Sequence, residues 1–285
     1  MKITDINSRT ALYCIFGNPV RHSISPVIHN AAFREMNVDA VYLAFEPMSI
    51  GEAVSSLKTL GIKGASITIP FKIDVCGHCD EIDSLAAGIG SVNTIANRDG
   101  RIIGYNTDGY GAVRSIEQRG ISVDGKTCLI LGNGGSARAI AFTLAGHGAS
   151  IIIAGRNEQR ISKLAGDIGT ISRKARSILL NSIDNVFMES VDIIINTTPI
   201  GMTPDTGSVP IDIELIKKRH IVFDIVYAPH ETRLLAVARE KGCPTVFGVD
   251  MLVMQGARQF EIWTGMDAPI ETMRRAAHKH LNIES

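Results

Sequence analysis

Short apolar, β-branched runs alternate with turn residues and amphipathic stretches along most of the chain. Leu12-Tyr13-Cys14-Ile15-Phe16 ends at Gly17, and the runs Ala40 to Phe45 and Ala65 to Ile69 repeat the pattern. Each reads as a buried strand. Ser25-Pro26 opens a helix, because serine suits an N-cap and proline the first helical position. Ile28, Ala31, Ala32 and Met36 then recur at helical spacing. A second helix is predicted from Ile50 to Leu60, stopped by Gly61. Ser91 to Ala96 and Arg101 to Tyr105 read as a strand pair, with Asp99-Gly100 between them as a hairpin-turn signal.

The next segment alternates strictly. Gly109 to Arg119 reads as a helix, Thr127 to Leu131 as a strand, Ser136 to Gly146 as a helix and Ser150 to Ala154 as a strand. A helix near Glu158 to Asp167 and strands at Asp192 to Asn196 and Ile221 to Val226 follow. Such alternation predicts parallel βαβ units. A domain boundary is therefore expected near Asp108, with an α/β domain before it. From Asp250 onward the periodicity is helical, without a strand signal.

Composition narrows the class. With 285 residues, 45% hydrophobic and 20% charged, the chain supports one large or two medium packed domains. Lys plus Arg equals Asp plus Glu at 29 each, so the basic excess of a duplex-binding protein is missing and no nucleic-acid partner is expected. No apolar signal-peptide core is read between Met1 and Thr10, and no run reaches the roughly 18 apolar residues of a membrane span. Five scattered cysteines fit reduced thiols in the cytoplasm better than a disulfide framework.

The segment Leu131-Gly132-Asn133-Gly134-Gly135-Ser136-Ala137 reads G-x-G-x-x-A between a strand and a helix. Gly132 permits the tight turn, Gly134 lets a pyrophosphate approach the backbone, and Ala137 lets helix and strand pack closely. The helix N-terminus offers unpaired N–H groups to phosphate. At the end of the second strand stand Gly155-Arg156-Asn157, with Arg160 beyond, where an NAD enzyme usually places Asp or Glu. Two guanidiniums there can clamp a 2′-phosphate, which favours NADP over NAD.

Other candidates sit at predicted strand ends. Ser23 and Ser25 lie at a strand-to-helix junction, where hydroxyls and a helix dipole suit a substrate carboxylate; a plain N-cap at Ser25 explains the same residues. Lys72 follows the run ending Ile69-Pro70-Phe71, and Asp108 follows Asn106-Thr107. A lysine beside an aspartate could protonate an alkoxide. The residues alone leave equally open a surface lysine and a turn aspartate that never meet.

Taken together, the ordered segments Gly17 to Asn30, Ser66 to Lys72, Gly90 to Thr94, Gly104 to Gly109, Gly132 to Ala137, Asn196 to Met202, Asp224 to Pro229 and Gly248 to Gln255 resemble the shikimate dehydrogenase family, as does Trp263-Thr264-Gly265. The resemblance implies an N-terminal α/β substrate domain, residues 1–107 with 249–285, and a Rossmann-like NADP-binding domain, residues 108–248. It implies an active site in the interdomain cleft and the reversible, NADPH-dependent reduction of 3-dehydroshikimate to shikimate, a step of the chorismate pathway to the aromatic amino acids. Lys72 and Asp108 would be the catalytic pair. Ser23 and Ser25, helped by Tyr227, would hold the substrate carboxylate, and Thr68, Asn93, Asp108 and Gln255 the ring hydroxyls. Gly132, Asn133, Gly134, Gly135, Ser136, Ala137, Arg156, Asn157 and Arg160 would bind the cofactor, with Ile225 and Gly248 near the nicotinamide. A monomer or homodimer is expected.

Three positions depart from the family pattern: Ser66 for asparagine, Gly155 for asparagine, and Ile225 for methionine. A quinate-preferring relative is an alternative, and so is a dinucleotide-sensing module without catalysis. Cys76-Gly77-His78-Cys79 matches a redox C-x-x-C, but lacks the strand, helix and tryptophan context of that motif. It also lacks a second ligand cluster, so no metal is expected. His278 and His280 read as frayed surface residues.

Overall fold

A computed structural model describes residues 6–172 and 174–283. The polar N-terminal stretch read from Met1 to Thr10 therefore lies partly outside the described residues. The chain divides into two compact units. One ends at Asp108 and resumes at Val253; the other runs Gly109–Leu252.

The first unit holds β1 (Ala11–Phe16), α1 (Ser25–Glu35), β2 (Ala40–Phe45), α2 (Ile50–Thr59), β3 (Gly64–Ile67), β4 (Glu81–Ile82), α3 (Ser84–Ile89), β5 (Thr94–Arg98) and β6 (Arg101–Tyr105). Its sheet runs β2-β1-β3-β5-β6-β4. β1 pairs in parallel with β2 and β3, whereas β5 runs antiparallel to both β3 and β6. Asp99 and Gly100, at φ +52° and +89°, make the hairpin turn. Because β5 and β6 form a hairpin, the residue before β5 and the residues after β6 emerge side by side. Because β3 is antiparallel to β5, the C-terminal end of β3 emerges there too. One side of this sheet buries Leu57, Ile67, Val92, Ile95 and Ile102.

The second unit continues with α4 (Asp108–Glu117), which begins on the last residue of the first unit, then β7 (Thr127–Leu131), α5 (Gly135–Gly146), β8 (Ser150–Gly155), α6 (Glu158–Gly169), β9 (Ala175–Leu179), α7 (Asn185–Met188), β10 (Ile193–Asn196), β11 (Ile221–Asp224), α8 (Arg233–Glu240) and β12 (Thr245–Phe247). All six strands are parallel in the order β12-β11-β10-β7-β8-β9. This is the doubly wound arrangement, with the switch point at β7. Leu129, Leu131, Ile152 and Ile194 are buried in its core, as expected for strands covered on both faces. The last helices are α9 (Gly248–Thr264) and α10 (Ile270–His280). The division between units falls inside α9.

Several local expectations need correction. Ser25 does not cap α1: it is the first helical residue, and no side chain caps that helix. Ser23 instead accepts the Ser25 N–H at 3.3 Å. The strand expected over Ala65 to Ile69 runs from Gly64 and stops at Ile67. The strand expected from Ser91 begins at Thr94. His278 and His280 are not frayed: both lie in α10.

Candidate active site

In the first unit the hairpin brings three of the expected residues into direct contact. Lys72 Nζ donates to Asp108 Oδ2 at 2.5 Å, and Asn93 Nδ2 donates to Asp108 Oδ1 at 2.7 Å. The side chains of Lys72 and Asp108 are 17% and 8% exposed, so the ion pair is largely screened from water but not sealed. Asn93 precedes β5 and Asp108 follows β6, while the Lys72 carbonyl accepts from Val92 N–H at 2.9 Å, which ties the loop after β3 to the same corner. A lysine and an aspartate 36 positions apart thus meet through sheet topology alone.

The remaining first-unit candidates lie at the start of α1, after β3 and on α9. Ser23 and Ser25 touch through their hydroxyls at 3.2 Å, with Ser25 buried. Thr68 follows β3, its N–H donating to the Phe16 carbonyl at 2.9 Å. Gln255 is buried on α9, one turn before the more deeply buried Gln259.

Gly132, Asn133, Gly134, Gly135, Ser136 and Ala137 of the second unit form the β7–α5 turn. Gly132 has φ +113°, and a Cβ there would fall 2.7 Å from Thr197 Oγ1, so only glycine fits. The space beside Gly134 is open, with no heavy atom within 4 Å of a built Cβ. Among the described residues no side chain caps α5, and no acidic residue occupies its first turn, which leaves its first N–H groups and positive dipole end for an anion. Arg156 and Arg160 are exposed at the end of β8 and the start of α6, and neither forms an ion pair among the described residues. Asn157 caps α6, its Oδ1 accepting from Arg160 N–H at 3.0 Å. Uncapped amides, open backbone and two available guanidiniums fit a phosphorylated dinucleotide.

Ile225 and Tyr227 follow β11, and Gly248 packs against the carbonyls of Ile225 and Val226. That segment is shaped by Asp224, a residue the sequence reading did not single out. Asp224 is fully buried and receives Asn196 Nδ2 at 2.9 Å, Val226 N–H at 3.0 Å and Thr232 Oγ1 at 2.7 Å. Burial pushes its carboxyl up to about 6 against the pull of these three donors. Other missed residues are Thr94, Thr107 and Gln259, which hydrogen-bond Asn93.

Cys76 and Cys79 lie on and beside a single turn of 3₁₀ helix, Asp74–His78, with Sγ 3.7 Å from the Lys72 carbonyl and 3.4 Å from the Val75 carbonyl. Burial raises both thiols, Cys79 to about 12, the opposite of what a reactive thiolate needs.

Comparison with known proteins supplies the deciding observation. Residues 15–95 match the shikimate dehydrogenase substrate binding domain, residues 114–225 the shikimate / quinate 5-dehydrogenase family, and residues 248–278 the shikimate 5′-dehydrogenase C-terminal domain. The chain is 40% identical to shikimate dehydrogenase (NADP(+)) of Moorella thermoacetica, covering 98% of this chain and 97% of that one. The chain belongs to the shikimate dehydrogenase family. A crystal structure of a shikimate dehydrogenase in complex with NADP+ superposes with a TM-score of 0.93 at 40% identity, covering 97% of this chain and 98% of that one. Shikimate 5-dehydrogenase from Listeria monocytogenes, solved with shikimate and NAD, gives 0.90 at 32% identity, covering 96% and 99%.

Two departures from the shikimate dehydrogenase pattern now have physical accounts. Ser66 is buried, and its hydroxyl accepts from Tyr42 Oη at 2.6 Å and donates to Gln259 Oε1 at 2.7 Å. Gly155 is required because Ile161 Cγ2 would lie 2.7 Å from any Cβ added there. Nothing in the structure explains isoleucine at 225.

Proposed function

We propose that the protein interconverts 3-dehydroshikimate and shikimate with NADP(H), using Lys72 as general acid and base. The carrying observation is the 2.5 Å contact between Lys72 Nζ and Asp108 Oδ2 at a corner where Asn93 also converges. NADPH, when bound, supplies the hydride. Gly132 to Ala137 offer backbone donors to its pyrophosphate, Arg156 and Arg160 hold the 2′-phosphate, and Asn157 fixes the start of α6 beneath them. Ile225 and Gly248 line the nicotinamide end.

As the substrate carbonyl gains hydride at carbon, the Lys72 ammonium gives one proton to its oxygen, so C=O becomes CH–OH and Lys72 is left neutral. In the oxidative direction neutral Lys72 removes that proton. Asp108 holds the lysine in place and accepts a hydrogen bond from a ring hydroxyl; Asn93, Thr68 and Gln255 hold the others. Ser23, Ser25 and Tyr227 donate to the carboxylate. The reading places the first unit as the substrate domain and the second as the cofactor domain. Five thiols outside any disulfide suit the reducing cytoplasm.

The test is reduction of NADP+ by shikimate at alkaline pH, followed by nicotinamide absorbance, with quinate and NAD+ as comparison arms. Turnover with shikimate and NADP+ supports the reading. Faster turnover with quinate would reassign the substrate, and no turnover with either acid would overturn it.

A further inference from the structure

A chain of buried hydrogen bonds runs through the first unit from Tyr42 to the ion pair, with Gln259 near its centre. The chain begins at the hydroxyl of fully buried Tyr42. Tyr42 donates to Ser66 at 2.6 Å, and Ser66 to Gln259 Oε1 at 2.7 Å. On the far side Gln259 Nε2 donates to Thr94 Oγ1 at 2.9 Å, Thr94 to Asn93 Oδ1 at 2.7 Å, and Asn93 Nδ2 to Asp108 at 2.7 Å.

Two backbone groups fix the sense of this chain. The Asn93 carbonyl can only accept, and it lies 3.4 Å from Gln259 Nε2, so the amide nitrogen faces Asn93 and Thr94. Gln259 Oε1 must then receive protons from Ser66 and from His29 Nε2, 3.2 Å away. The Thr107 N–H can only donate, and it meets Asn93 Oδ1 at 2.8 Å, so Asn93 Nδ2 faces Asp108. Thr94 has one proton. With its lone pair occupied by Gln259, that proton goes to Asn93 Oδ1. The Thr94 hydroxyl joins the Thr107 N–H and the more distant Thr107 hydroxyl, at 3.3 Å, on Oδ1, which fixes the plane of the Asn93 amide as well as its end-to-end sense.

We propose that Gln259 is a positioning residue for the Lys72–Asp108 pair, acting through Thr94 and Asn93. The inference rests on the catalytic reading of that pair. Only an amide meets the demand at this point: acceptor toward Ser66 and His29, donor toward Thr94. Gln259 is 1% exposed and acts from behind the pair through its neighbours.

Gln259→Met keeps length and removes both functions; Gln259→Glu keeps the acceptor and removes the donor, so Thr94 turns its proton away from Asn93. Each is expected to lower kcat for shikimate oxidation about tenfold, the equivalent of one buried hydrogen bond, with the NADP+ KM unchanged. Thr94→Val should match that loss, Thr94→Ser should restore near-normal kcat, and Thr94→Val with Gln259→Met together should cost no more than either alone. A folded Gln259→Met enzyme with unchanged kcat, or losses that multiply in the double variant, would overturn the proposal. The side-chain NH2 signals of Asn93, assigned by their loss in Asn93→Asp, give a readout independent of turnover. They should be sharp and widely split in the parent protein and collapse toward solvent-like values in Gln259→Met and Thr94→Val. Unchanged signals also overturn the proposal. An inactive parent protein with the expected signal changes would sink the catalytic reading alone.

Discussion

Ile161 occupies the space beside Gly155 at the end of β8, its Cγ2 within 2.7 Å of where a Cβ would stand. Ile161 is 1% exposed and β-branched, so it has little freedom to move aside. Gly155→Ala is expected to cost about 1–3 kcal/mol through overpacking. Urea unfolding checks this. A variant as stable as the parent would show that α6 shifts freely, and Arg156 with it.

Lys72→Ala removes the proton donor while leaving Asp108 with Asn93. We expect kcat for shikimate oxidation to fall by roughly 10²–10⁴. NADP+ binding, followed by fluorescence titration without substrate, should stay within about twofold, since the nucleotide contacts proposed here lie on the second unit. Equal losses in both measurements would contradict an acid–base role.

Arg156→Ala removes an exposed guanidinium at the second strand end. Charge-assisted hydrogen bonds to phosphate contribute about 1.5–3 kcal/mol, so the KM for NADP+ should rise roughly tenfold or more. The KM for NAD+, which lacks the 2′-phosphate, should barely change. Parallel increases for both cofactors would argue that Arg156 supports the fold of the loop instead.

His29 makes the fold acid-sensitive. It is fully buried against Tyr42, with ring centroids 4.5 Å apart, and burial pushes its imidazole down to about 3. The neutral form is therefore favoured in the folded state. The stability this contributes is complete above the unfolded value near 6.5 and is lost as pH falls from there toward 3. The loss approaches about 1.4 kcal/mol per pH unit within that window. Denaturant titrations at pH 7, 6 and 5 should show a shallower dependence in His29→Gln. An identical slope in both proteins would assign the acid sensitivity elsewhere.

Much of this architecture is readable in the chain because the strong periodic segments of the second unit agree with one another. The glycine turn between β7 and α5 carries its own local signature. What escapes the sequence is what short or half-polar segments do. β9, Ala-Arg-Ser-Ile-Leu, is a half-buried edge strand with no clean alternation, and β12 has only three residues. Ser25 looked like a cap because Ser-Pro is a common helix opening, yet the preceding turn places Ile24 there. The meeting of Lys72 with Asp108 depends on β3 and β5 being antiparallel, which no local pattern declares. Gln259 was invisible for another reason. A glutamine on a helix reads as a solvent-facing residue, and only its partners reveal otherwise.

The β5–β6 hairpin has one more implication. Its register sets Thr94 opposite Tyr105 and Arg98 opposite Arg101, closed by two residues at the tip. Side chains on a strand alternate, so slipping this ladder by a single residue would turn every one of them to the opposite face. Asn93 would then confront the wrong neighbour at the far end. The length of a small surface bend is thus part of what brings Asn93 to Asp108.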